Sequence, residues 1–236
     1  MALPKIDTPI FEMTIPSQDK VVKFRPFLVK EEKILLIAQQ SDTDRDIILA
    51  IKQILNNCIL DADFDVDSLA TFDLEYMFLK LRARSVNNVI EVSYRDLEDD
   101  KVYTFEIDLD EVEIQKTETQ SNKIKINDEI GMIMKYPSVQ TINNIPENAT
   151  GTDVVEYLVR SCIDKIYDED NVYIVAEEPE AEVQAFIDNL DVETYDKIRQ
   201  FFSDLPKMYH KIEYKNSLGN ERSIELTSLR DFFTWG

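Results

Sequence analysis

The sequence predicts an α+β protein in which helices pack with short antiparallel β-hairpins, arranged as two similar helix-plus-hairpin halves. Three features lead there. Apolar and polar residues alternate over short stretches, the pattern of half-buried strands. Between those stretches the apolar spacing becomes i, i+3, i+4, i+7, which gives a helix one buried face. A strand–turn–strand pattern in the first half also returns in the second.

Alternation from Ile10 to Ile15 and from Val21 to Leu28, with Pro16-Ser17-Gln18-Asp19 between, reads as two strands and a turn. Ile34, Leu35, Ile37 and Ala38 mark a short helix entered through Lys30-Glu31-Glu32. Ser41-Asp42-Thr43-Asp44 caps the next helix, in which Ile47, Ile48, Ile51, Ile54, Leu55 and Cys58 keep helical spacing. A third helix runs from about Ser68 to Arg84, with Leu69, Phe72, Tyr76, Leu79 and Ala83 facing inward. Beyond Ser85-Val86-Asn87-Asn88 the period is two again. Val89 to Tyr94 and Lys101 to Leu109 are strands joined by Asp96-Leu97-Glu98-Asp99-Asp100.

The polar stretch from Thr117 to Asn122 marks a boundary between an N-terminal lobe, 1–120, and a C-terminal lobe, 121–236. Short strands around Ile124 and from Ile130 to Met134 open the second lobe, followed by a short helix beyond Pro137 and a loop from Asn143 to Asn148. Thr152 to Tyr167 reads as one helix through Val155, Leu158, Val159, Cys162 and Ile166, and Val172 to Val175 as a strand. Pro179 suits the first position of a helix through Phe186 to Leu190. Another helix spans Asp191 to about Ser203, with Tyr195, Ile198, Phe201 and Phe202 inward. Met208 to Tyr214 and Arg222 to Leu226 form a hairpin around Ser217-Leu218-Gly219-Asn220, and Ser228 to Phe233 a last helical turn.

The two main hairpins align. Val92-Ser93-Tyr94-Arg95-Asp96 sets against Ile212-Glu213-Tyr214-Lys215-Asn216 at an offset of 120. Ile107-Asp108-Leu109 sets against Ile224-Glu225-Leu226 at an offset of 117, the second turn being three residues shorter. Duplication and a chance likeness of two hairpins are both open on these residues alone.

Acidic residues outnumber basic ones 47 to 26 in the 236-residue chain, a formal charge of -21, while 44% of residues are hydrophobic and 10% aromatic. That apolar share can build a core and excludes a wholly disordered chain. The charge repels phosphate backbones and anionic lipid, so neither nucleic acid nor a membrane surface is an expected partner. No stretch approaches the roughly 18–20 apolar residues of a membrane span, and the N-terminus lacks the apolar run of a signal peptide. Two distant cysteines, Cys58 and Cys162, make neither a disulfide framework nor a Cys-rich zinc site and suit a reducing cytoplasm.

Candidates for chemistry fail one by one. Asp61, Asp63 and Asp65 start like a calcium loop, but the glycine and glutamate it requires are replaced by Val66 and Phe72. A solvated loop capping the third helix is the expectation. His210, the single histidine, shares a strand face with Met208, Ile212 and Tyr214 and reads as half-buried and structural. Both cysteines sit on apolar helix faces, where a thiol behaves as a small hydrophobe. No P-loop, dinucleotide turn or nucleophile elbow occurs. No enzymatic activity, metal or cofactor is expected.

The chain ends in Asp231-Phe232-Phe233-Thr234-Trp235-Gly236. Two readings of these aromatics stand: a tail docked on its own hairpin, or a patch of Phe232, Phe233 and Trp235 that binds a partner.

Four segments together resemble a known family. They are Phe24-Arg25-Pro26-Phe27-Leu28-Val29-Lys30-Glu31-Glu32-Lys33-Ile34-Leu35-Leu36, then Phe72 through Tyr76-Met77-Phe78 to Ser85, then Met134-Lys135-Tyr136-Pro137. The fourth runs from Phe202 through Pro206-Lys207 into the Tyr214-Lys215-Asn216 hairpin and the Asp231-Phe232-Phe233 end. In order and spacing they resemble the baseplate hub assembly proteins of T-even-like contractile-tailed bacteriophages. The resemblance implies a non-enzymatic role in tail assembly, with the tape-measure protein and other baseplate hub proteins as partners. It places the protein in the host cytoplasm during assembly, with a place in the virion's tail baseplate left open. It also implies cysteine-bearing, zinc-ribbon-like hairpins in some relatives. This sequence has no cysteine from Val89 to Leu109 or from Met208 to Leu226, so packing must hold its hairpins, with Tyr94, Tyr103, Phe105 and Tyr214 as candidates.

Three functions follow as expectations. The first is a chaperone-like factor that binds hub or tape-measure protein, its acidic surface opposing aggregation. The second is a permanent structural subunit of the hub. The third is an acidic DNA mimic directed at a host protein, which the charge permits but the scattered acids do not favour.

Overall fold

A computed structural model describes residues 7–39, 44–117 and 121–232. It is an α+β protein with small antiparallel sheets. The described residues divide into two compact units, one lying within Met1–Gln115 and Lys207–Gly236, the other within Lys116–Pro206. The first crossing falls beside the polar stretch where the sequence predicts a boundary. The chain then returns, so the C-terminal hairpin belongs with the N-terminal residues rather than with a lobe 121–236.

In the first unit, β1 (Phe11–Ile15) pairs with β2 (Lys20–Phe24), Met13 lying opposite Val22. Met13, Ile15, Val22 and Phe24 are buried while Glu12, Thr14, Val21 and Lys23 face out, the alternation expected of a sheet covered on one side. In α1 (Val29–Gln39), Glu31 and Leu35 are buried but Leu36 and Ile37 are exposed. Ala50, Ile51, Ile54, Leu55 and Cys58 form the buried face of α2 (Asp44–Cys58).

The centre of this unit is α3 (Thr71–Ser85), which buries Phe72, Asp73, Leu74, Met77, Phe78, Leu79, Leu81 and Ala83. A helix covered on several sides carries apolar residues at successive positions, so the single inward face read from the sequence is too narrow. Tyr76, expected inside, is half-buried. The Lys80 Nζ of α3 donates to the carbonyls of Leu109, Asp110 and Val112 at 2.8, 3.0 and 3.0 Å. That clamp holds the chain as it leaves the hairpin of β3 (Val89–Arg95) and β4 (Val102–Asp108) and enters β5 (Glu113–Gln115).

Pairing at β5 explains the return of the chain. The start of β10 (Lys207–Lys215) lies along it, Met208 opposite Ile114, and β11 (Glu221–Leu226) completes the order β11-β10-β5. The closing α8 (Leu229–Phe232) contacts α3 and buries Leu229 and Phe232. Its start is capped by Asp231, whose Oδ2 accepts the N–H groups of Thr227 and Ser228 at 2.9 and 2.8 Å.

The second unit is a four-stranded antiparallel sheet of β6 (Lys123–Lys125), β7 (Gly131–Met134), β8 (Ile163–Tyr167) and β9 (Val172–Ile174), in that order. With it are α4 (Val139–Asn143), α5 (Thr152–Cys162), α6 (Glu180–Asp188) and α7 (Val192–Ser203). Ile124, Met132, Met134, Val159, Cys162, Ile163, Ile198 and Phe201 belong to one buried cluster. Here one expectation is corrected. The helix predicted to reach Tyr167 stops at Cys162, where Ile163 turns extended at φ -77 and ψ 118. Ile163-Asp164-Lys165-Ile166-Tyr167 suits either period, and pairing on both sides, with β7 and β9, decides for a strand.

Candidate functional site

The most densely bonded polar cluster lies where the turns of the β3–β4 and β10–β11 hairpins meet, inside the first unit. Both turns open on an Asx residue, and they differ in length by one residue, 96–101 against 216–220, rather than by the three that the alignment predicts. The Asp96 N–H bonds to the Lys101 carbonyl at 2.9 Å, and the Asn216 N–H to the Asn220 carbonyl at 3.0 Å. Asp96 Oδ1 accepts the Glu98 N–H at 2.8 Å, and Asn216 Oδ1 accepts the Leu218 N–H at 3.1 Å. Both side chains therefore stabilise their own turns, which is why short Asx residues stand there. Both residues are also buried.

Contacts between the turns run one way. The N-terminal turn accepts and the C-terminal turn donates. Tyr214 Oη donates to Asp96 at 2.6 Å, and the amides of Asn216 and Asn220 donate to Glu98 at 2.6 and 2.7 Å. Ser217 gives its N–H and its hydroxyl to Asp99 at 3.0 and 2.8 Å. Arg222 adds an ion pair to Asp96 at 3.3 Å. The Tyr214 ring lies 5.0 Å from that of Tyr103 and 5.1 Å from that of Phe105. Tyr214 thus touches two of the other three aromatics proposed to hold the hairpins, and the third, Tyr94, pairs across the strands with Tyr103.

Electrostatics follow from these bonds. The Tyr103 hydroxyl is the largest influence on Asp99 and holds its carboxyl far below the usual carboxylate range. Tyr214, then the Glu98 N–H, lower Asp96. Desolvation, and then the bond to Asp96, push the Tyr214 phenol up to about 12. Carboxylates stabilised this way accept hydrogen bonds from fixed donors and are poor proton carriers at neutral pH. The cluster locks two hairpins together.

Other predicted positions are dispersed. The Asp61 carboxylate accepts the Lys23 N–H at 2.6 Å, Asp63 pairs with Lys20 at 2.7 Å, Asp65 accepts the Asp67 N–H at 3.0 Å, and Asp67 pairs with Lys52. These carboxylates diverge to separate donors instead of converging on a cation. Among the described residues no group of three His, Cys, Asp or Glu side chains could hold a metal ion. His210 is half-buried opposite Leu226. Cys58 and Cys162 are buried, and burial pushes their thiols up to about 11 and about 12. No helix among the described residues is long and apolar enough to cross a membrane.

Of the aromatic tail, Phe232 is 2% exposed within the first unit, whereas Phe233 and Trp235 lie outside the described residues. Sequence reasoning missed the turn-to-turn lock, although the offset of 120 that aligns Asp96 with Asn216 was its signal.

Within the first resembling segment, Arg25 and Glu31 meet. Arg25 Nη2 donates to the buried Glu31 carboxylate at 2.9 Å, and the Leu28 N–H donates to it at 2.9 Å, which caps α1 from its third position. The motif is a folding device that joins β2 to α1.

Searches of curated proteins and of solved structures give no match. A protein family described as T4 bacteriophage base plate protein matches residues 8–234. That span takes in both units and each of the four resembling segments, so the chain belongs to the T4 bacteriophage base plate protein family.

Proposed function

We propose that this protein acts without enzymatic chemistry in assembly of the baseplate hub, by binding hub or tape-measure protein and keeping it soluble until incorporation. The observation that supports this most is the base plate family match along residues 8–234. A formal charge of -21 on a folded scaffold agrees with such a role, because like-charged complexes resist aggregation. The site of action is the host cytoplasm. Phe233 and Trp235 are proposed to contact the partner, with the buried Phe232 anchoring them to the fold.

Quantitative mass spectrometry of purified particles beside infected-cell lysate, with a pull-down on this chain, tests the proposal. Hub or tape-measure protein in the pull-down and no chain in the particles support a transient factor. A fixed copy number per particle makes it a permanent hub subunit.

A further inference from the structure

The sheet of the second unit has an unfinished edge. Directly opposed residues in neighbouring strands share a face, and Ile124, Met132, Ile166 and Tyr173 form one such row. Along that row exposure rises from 4% at Ile124 and 0% at Met132 to 40% at Tyr173. The apolar face of the sheet thus runs out of the core into solvent at β9. Beside it Val183 and Phe186 of α6, with Ile130 and Ile166, line a groove of about 230 Å³.

β9 is the last strand of its sheet, so one row of its backbone N–H and C=O groups faces away from any described strand. Its side chains Val172, Tyr173 and Ile174 are 64%, 40% and 41% exposed, all of strand-forming type. Neither proline, lysine nor a bulge protects the edge. The groove also has a charged rim, because Asp168, Glu178 and Glu182 line it.

We infer that β9 and this groove receive an extended segment of another protein, with alternating apolar residues and lysine or arginine beside them. This rests on the reading that the chain works by binding another baseplate component. The guest adds a fifth strand beside β9 through main-chain hydrogen bonds. Its inward side chains cover Tyr173 and Phe186, and its cations meet the three carboxylates. A second copy of this chain is disfavoured as guest, because each copy brings a charge of -21.

Overlapping short peptides covering the phage's other baseplate and tape-measure proteins, arrayed and probed with the full chain, test this. Peptides that bind should carry the apolar–basic pattern and bind more weakly as salt rises. Two variant pairs, V172K/I174K and E178K/E182K, should each weaken those peptides at least about tenfold while leaving the melting temperature unchanged. Absence of binding, equal binding by both variant pairs, or self-association abolished by V172K/I174K would each overturn the inference. If V172K/I174K still captures hub protein from lysate, the docking surface is wrong and the assembly role stands. If the unaltered chain captures no baseplate protein, the assembly role itself fails.

Discussion

Asp96 and Asn216 occupy equivalent places in two hairpin turns, each aiming a side-chain oxygen at the N–H two residues on, at 2.8 and 3.1 Å. With Val92 set against Ile212, the registers bring Phe105 rather than Ile107 level with Ile224, so the offset of 117 read for the second strands does not hold. The two turns differ in chemistry: one is carboxylate-rich and accepts, while the other offers amide, hydroxyl and guanidinium donors.

That complementarity predicts the effect of making the turns alike. Asn216→Asp removes the amide that donates to Glu98 and sets two carboxylates together at a buried position. It should cost about 1–3 kcal/mol, read as a lower denaturation midpoint. Glu98→Gln should recover part of that loss in a double-mutant cycle.

Acid should loosen the same unit. Glu31, Asp96 and Asp99 all have carboxyls held below their usual values. At Glu31 burial opposes this, and the Arg25 and Leu28 hydrogen bonds outweigh it. The stability these groups contribute is present above the unfolded carboxyl values near 4 and is lost as pH falls through the lowered ones. Thermal melts at falling pH should show it.

Glu75 on α3 behaves in the opposite sense. Burial pushes its carboxyl from 4.5 up to about 7, with Asp231 adding to the rise and the Leu229 N–H opposing it. The folded chain keeps a proton there that the unfolded chain releases, so this contribution declines as pH rises from about 4.5 to about 7. Glu75→Gln should lose less melting temperature than the unaltered protein between about pH 5 and about pH 8.

In the second unit, the Tyr167 ring and hydroxyl fill the place a Cβ on Gly131 would take. Gly131→Ala should therefore destabilise by about 1–3 kcal/mol through overpacking. Tyr167→Ala in the same chain should relieve only part of that strain, because the Ile124 carbonyl still lies 3.0 Å from the added Cβ, and melting curves of the single and double variants would show the coupling.

Both thiols should resist a small aromatic disulfide reagent in the native protein, because burial raises them to about 11 and about 12. Reaction of Cys58 and Cys162 should appear only as denaturant unfolds the chain. Rapid native labelling would show the cysteines to be accessible.

Local periodicity made much of the fold legible. Alternation at Met13, Ile15, Val22 and Phe24 and the spacing of Ile51, Ile54, Leu55 and Cys58 each identify a buried face. It misled at Ile163–Tyr167, because residues fitting two periods are settled by neighbours distant in sequence. It also failed at Ile37, whose helical spacing suggested burial that the fold does not provide. The return of β10 to β5 and the bond from Tyr214 to Asp96 have no local pattern, since each joins residues far apart in the chain. Only the repeat hinted at the latter. The graded exposure from Met132 to Tyr173 could not be read before the strand order was known.

If the protein acts in hub assembly as proposed, phage carrying an early stop codon in its gene should fail to complete their tails. Sedimentation and electron microscopy of the lysate should show heads and unincorporated hub or tape-measure protein without completed tails, restored when the chain is supplied in trans. Complete, infectious tails in normal number without the chain would show that the protein is dispensable for hub assembly.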